Sequence, residues 1–225
     1  MSEEKEFNLL HEKWILVMKP DGKVEEVSLV DVFRDAHNFL GLAGELPTQD
    51  IAVLRLLLAI LHAVFSRYDL EGNPSGVSSP QEAITRWISL WDKGSFPMQI
   101  IGDYLLYYQD RFWLFHQKYP FYQVSSLNKY TSYPASKLNG ELLESVNKTR
   151  LFAQRRGSSK ETLLYSEAAR WLLHVNAFDD TSAKPKTKGL PKPGIGWVGQ
   201  LGLIIAMGCN LFETLLLNLV LARDC

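Results

Sequence analysis

Cysteine is nearly absent from this 225-residue chain, which carries only Cys209 and Cys225. Two thiols cannot build a disulfide framework, and neither stands at a metal-ligand spacing from another cysteine or a histidine. An excess of one charge is missing too: the net charge is −1. The chain as a whole therefore has no attraction to nucleic acid or to acidic membranes, and any polyanion site must be a local patch. The amino terminus, M-S-E-E-K-E, lacks the apolar core of a secretory signal. The longest apolar runs, such as Leu56–Ile60, fall far short of the ~20 residues of a membrane span. These absences point to a cytoplasmic, reducing setting, in which the sequon Asn147-Lys148-Thr149 carries no meaning. Catalytic signatures are also lacking. There is no H-E-x-x-H, G-x-S-x-G or Walker A sequence, and His11, His37, His62, His116 and His174 are scattered. No enzymatic activity, cofactor or metal is expected.

What is present suffices for a core. Hydrophobic residues make up 46% of the chain and aromatics 12%, which excludes wholesale disorder. Lys13–Val27 reads as a β-hairpin, with W-I-L-V-M and V-E-E-V as strands around a Pro-Asp-Gly turn. Ser28 and Asp31 form a capping box for a short helix. Thr48 is placed to cap a long apolar helix reaching Phe65, and Ser79-Pro80-Gln81-Glu82 opens another, with Trp87 and Trp91 on one face. Pro97 starts a helix through Tyr108, and Arg111–Val124 reads as a strand entering a turn at Pro120. Ser166 opens a helix to Phe178. Asn210 caps a final apolar helix running almost to Cys225, whose exposed grease suggests a fragment of a longer protein. No repeat or clean linker appears. The expected fold is one α+β domain over 1–225, mostly helical, with an N-terminal hairpin and long loops.

Charge is unevenly spread. Residues 148–192 hold ten Lys and Arg against four acids, a window of +6 that leaves −7 for the rest. The basic clusters lie in two loops flanking one helix, so they can share a surface. Both stretches, Asn147–Lys160 and Lys184–Lys192, are polar enough to be mobile without a partner. In T-R-L-F-A-Q-R-R-G, Phe152 sits among cations. It is either a wedge or stacking element for nucleic acid or the anchor of a surface loop. The glycines of Gly194–Gly199 match G-x-G-x-x-G literally. A dinucleotide fingerprint, however, follows a strand and opens a helix, and K-G-L-P-K-P precedes this one.

Five stretches in order resemble the CasA family, the large subunits of type I-E CRISPR Cascade complexes. They are Phe7–Ile15 (F-N-L-L-H-E-K-W-I), Arg111–Gln123 (R-F-W-L-F-H-Q-K-Y-P-F-Y-Q), Asn147–Phe152 (N-K-T-R-L-F), Glu167–Leu173 (E-A-A-R-W-L-L) and Asn210–Leu219 (N-L-F-E-T-L-L-L-N-L). The resemblance implies the N-terminal α+β domain of a longer protein, without its C-terminal helical bundle. It also implies a non-catalytic role: recognising the protospacer-adjacent motif in duplex DNA, aiding strand opening and recruiting a helicase-nuclease. The implied partners are the other Cascade subunits and CRISPR RNA, with no membrane. By position, the family's mobile loop matches Asn147–Arg156, which would bring Lys148, Arg150, Phe152, Gln154, Arg155 and Arg156 to DNA. Its glycine loop matches about Lys188–Gly194, which implies contacts from Lys186, Lys188, Gly189, Lys192 and Gly194. The family pattern has consecutive glycines there and this chain has G-L-P-K-P-G, so close backbone approach is expected mainly at Gly189 and Gly194. Two rivals remain: an RNA-binding ribonucleoprotein scaffold, and a nucleotide-dependent enzyme using Gly194–Gly199.

Overall fold

The structure is a computed structural model and describes residues 5–126, 133–140, 155–179 and 196–222. The chain begins with strand β1 (Lys5–Asn8) and then makes the expected hairpin from β2 (Ile15–Met18) and β3 (Val24–Val27). Ile15 stands opposite Val27 and Met18 opposite Val24. Gly22, at φ 80°, supplies the left-handed residue that the turn needs. Helix α1 (Leu29–Arg34) follows at once, opened by the Ser28–Asp31 capping box. Strand β4 (Gly41–Leu42) returns to β2, giving a three-stranded sheet in the order β3-β2-β4.

Helix α2 (Pro47–Phe65) is the central element, with Leu57, Leu61, Val64 and Phe65 fully buried. By length and composition it could cross a membrane, but 56% of its apolar window is buried in this fold, as in a core helix. Thr48 is not its cap. Leu46 holds that position with Pro47 behind it, and the Thr48 hydroxyl lies 3.0 Å from His174 Nε2. The carboxylate of Asp50 and the amide oxygen of Gln49 instead reach back to the N–H groups of Gly44 and Glu45.

Helices α3 (Pro80–Lys93) and α4 (Met98–Tyr107) come next. Ser79 caps α3, which ends at Gly94 in the left-handed conformation. Strand β5 (Trp113–His116) pairs antiparallel with β1, forming a separate two-stranded sheet. After the short α5 (Ala135–Leu138), helix α6 (Tyr165–Phe178) packs along α2. Ser166 lies inside the first turn of α6 and is buried. Leu164 occupies the cap position, where Glu167 accepts its N–H at 2.8 Å.

Helix α7 (Leu211–Leu217) is capped by Asn210, whose side chain accepts the Glu213 N–H at 2.9 Å. It is shorter than the apolar pattern suggests. The Asn218 amide turns back to the Thr214 and Ala206 carbonyls, both at 2.7 Å, and ends the helix. Far from being uncovered, α7 closes the core: Phe212 meets Phe96 at 4.8 Å, and Trp87 Nε1 donates to the Leu216 carbonyl. The result is an α+β domain, mostly helical, with an N-terminal hairpin.

Candidate nucleic-acid interface

Helix α6 organises the region that the sequence marks as basic. One face enters the core through Ala169, Trp171, Leu173 and Ala177. Arg170 is also buried, and its guanidinium donates to the Trp14 carbonyl and to Glu26, both at 2.6 Å. A buried cation needs such partners, since desolvation without them costs several kcal/mol. Glu45 joins the cluster by accepting Trp171 Nε1 at 3.1 Å and by lying near Arg170.

Arg155 completes this network. Its Nη2 donates to Glu45 Oε2 and to Glu167 Oε1, both at 3.0 Å, and its side chain is only 12% exposed. Burial of Glu167 opposes its ionisation. The Arg155 bond, the Leu164 N–H and the charge of Arg170 outweigh burial and leave its pKa below the ordinary carboxylate value. Burial likewise opposes the charge of Arg155, but Glu167 and Glu45 reverse that and hold its pKa above normal. A guanidinium matched in this way by two carboxylates offers little charge outward and serves to anchor the chain. Arg156 differs. It is exposed, while its backbone bonds the Ser159 hydroxyl. Residues 155–160 of the stretch expected to be mobile form this corner and the 3₁₀ turn Gly157–Lys160.

The described residues that bound 141–154 and 180–195 lie on or near α6. At the first, Asn139 is buried and its amide donates to the Lys160 carbonyl at 3.1 Å, while Gly140 lies against the Trp171 ring. At the second, the Gly196 N–H donates to the Asp179 carbonyl at 2.6 Å, so the two ends of 180–195 are bonded to each other. The first anchor meets α6 between Glu167 and Trp171 and the second lies at its C-terminal end, which at 1.5 Å per residue puts them about 12–18 Å apart along the axis. The described residues that bound the two basic stretches therefore lie at different levels of one helix. Lys148, Arg150, Phe152, Gln154, Lys186, Lys188, Gly189, Lys192 and Gly194 lie outside the described residues.

The described part of the glycine motif opposes a phosphate cradle. Gly196 sits against the Ala177 carbonyl at the C-terminal end of α6, and Trp197–Gln200 forms a 3₁₀ turn there. The carbonyl end of a helix carries partial negative charge, whereas pyrophosphate sites use the opposite end. Among the described residues, no group of three His, Cys, Asp or Glu side chains is arranged to hold a metal.

Sequence reasoning missed Glu26, Glu45 and Glu167 as organising residues, because their partners lie far away along the chain. Glu167 stands three residues after the cap Leu164, a spacing hidden when Ser166 is read as the helix start. The exposed pair Trp197 and Arg55, with the guanidinium 5.3 Å from the ring, left no sequence signal.

Comparison with known proteins gives a consistent answer. Residues 8–225 match the model of the family CRISPR-associated protein Cse1. A CRISPR-associated protein CasA/Cse1 of Thermus thermophilus is 36% identical over 98% of this chain and 41% of its own length. The crystal structure of Thermobifida fusca Cse1 superposes with a TM-score of 0.74 at 35% identity, covering 98% of this chain and 40% of that one. Cse1 from Acidimicrobium ferrooxidans gives 0.71 at 34% identity, covering 97% and 39%. The chain thus spans about 40% of the length of the relatives it matches.

Proposed function

Since the chain belongs to the Cse1 (CasA) family of CRISPR-associated proteins, we propose that it serves as a non-catalytic subunit of an RNA-guided Cascade surveillance complex in the cytoplasm. In this reading it recognises the protospacer-adjacent motif in duplex DNA, aids strand opening and helps recruit the helicase-nuclease. Its partners are the other Cascade subunits, CRISPR RNA and target DNA. The observation that carries the proposal is the family match over 8–225.

The physical chemistry is compatible. Sequence identity is read by guide pairing, so the protein need read only a short motif. The minor groove shows a degenerate pattern, for which small residues, backbone groups and cations suffice. Lysines of the two basic stretches supply phosphate attraction.

Affinity purification of the tagged protein from its native cells tests the reading. The expected result is a stoichiometric complex containing a CRISPR RNA, whose duplex affinity changes when only the motif is altered. A protein that purifies with no RNA, or a complex indifferent to the motif, would overturn it.

A further inference from the structure

Glu45 stands in the connection between β4 and α2, 110 positions from Arg155, and it is held from behind before it reaches that residue. Its N–H donates to the Gln49 side-chain oxygen at 3.1 Å, and Gln49 is fully buried. One carboxylate oxygen, Oε1, accepts the indole N–H of Trp171 at 3.1 Å, and that side chain is fully buried too. The other, Oε2, accepts Arg155 Nη2 at 3.0 Å. Support therefore runs outward from the core: Gln49 and Trp171 fix Glu45, and Glu45 fixes Arg155.

Glu167 meets the same nitrogen at 3.0 Å, while its second oxygen accepts the Leu164 N–H. Charge-assisted bonds to acids on two separate elements leave the guanidinium little freedom to shift. They also make Arg155 a poor phosphate ligand, because a phosphate arriving there faces two carboxylates. Arg155 directly follows Gln154 and stands three positions from Phe152. Three residues of chain reach at most about 11 Å, so whatever fixes Arg155 limits the reach of both. A recognising residue is precise only when others behind it hold its place.

We infer that Glu45 is a positioning residue for the motif recognition proposed above, on which this reading rests. It touches no DNA and acts by holding Arg155, which sets the reach of Phe152 and Gln154 toward the duplex.

The test uses the purified complex with its CRISPR RNA, carrying Glu45→Gln, Arg155→Gln or both. Affinity is measured over a range of salt for duplexes with the correct motif and with an altered one. Glutamine keeps the size of Glu45 but sets its amino group against Trp171 Nε1 or Arg155, both of them donors. In each single variant the ratio of the two affinities is expected to fall roughly tenfold, a usual coupling within one hydrogen-bond network. The double variant should fall no further, because Glu45 acts through Arg155, and the slope of log affinity against log salt should stay parental. A slope reduced by about 0.9 in Arg155→Gln would make that residue a phosphate contact and overturn the inference. Parental discrimination in Glu45→Gln, whatever its melting temperature, would overturn it by reducing the residue to a prop of the fold. A further loss in the double variant would do the same. Should Glu45→Gln fail to assemble, Arg155→Gln decides: lost discrimination at the parental salt slope supports the inference, and parental discrimination sinks it. A parental complex blind to the motif overturns the proposed function and this inference together, whereas a discriminating parent with a discriminating Glu45→Gln variant overturns this inference alone.

Discussion

A side chain on Gly196 would overlap the Ala177 carbonyl and the start of the next peptide, because the glycine closes directly onto the end of α6. Gly196→Ala is therefore expected to destabilise the protein by about 1–3 kcal/mol, the usual range for forced overpacking. Thermal melting measures this, and an unchanged midpoint would show that the contact does not exist. Glu167 makes a pH-dependent contribution whose sign follows from its environment. Its pKa in the folded state lies below the ordinary value. The stability it confers is present above the unfolded pKa and is lost as pH falls through the folded one. Glu167→Gln should lower stability at neutral pH and flatten the acid limb of a stability–pH curve. A variant with the parental acid limb would refute the pairing with Arg155. Little of this was legible beforehand. Arg155 carries the same sequence signal as Arg156, a cation in a basic loop, and only Glu45, 110 positions away, separates their roles.

Elements were read more successfully where local chemistry decides them. The hairpin follows from its Pro-Asp-Gly turn, α1 from Ser28 and Asp31, and α3 from Ser79 with Pro80. The misplaced starts share one cause. For α2 and α6 the cap position falls to Leu46 and Leu164, and the nearby hydroxyls of Thr48 and Ser166 are drawn inside by tertiary packing. Asn218 ended α7 early for a similar reason, since its amide is bonded to the neighbouring segment at Ala206 as well as to its own helix. The start of α7, by contrast, rests on a side-chain bond. Asn210→Ala should cost about 1 kcal/mol and Asn210→Asp much less, as read from denaturant midpoints. Equal loss in both variants would mean that Asn210 matters for something other than its cap.

Across the whole molecule, the α+β class and the family resemblance were readable because they rest on patterns spread along the chain. The layout of the candidate interface was not. Adjacent basic stretches suggest one patch, whereas their described anchor points meet α6 at Glu167–Trp171 and at its C-terminal end, about 12–18 Å apart along the axis. If Lys186, Lys188 and Lys192 contact phosphate, neutralising all three should reduce the slope of log affinity against log salt by about 0.9 per contact. The loss should fall on all duplex sequences alike, because phosphate contacts position without specifying. A parental salt slope would remove these lysines from the interface. The bond from Gly196 to Asp179 has a wider consequence. The backbone enters and leaves residues 180–195 at nearly one point, so α6 and the 3₁₀ turn beyond it are joined without help from what lies between. That stretch is an exchangeable cassette: grafting in the counterpart from a relative should leave the host fold melting as before, and motif preference should travel with the graft.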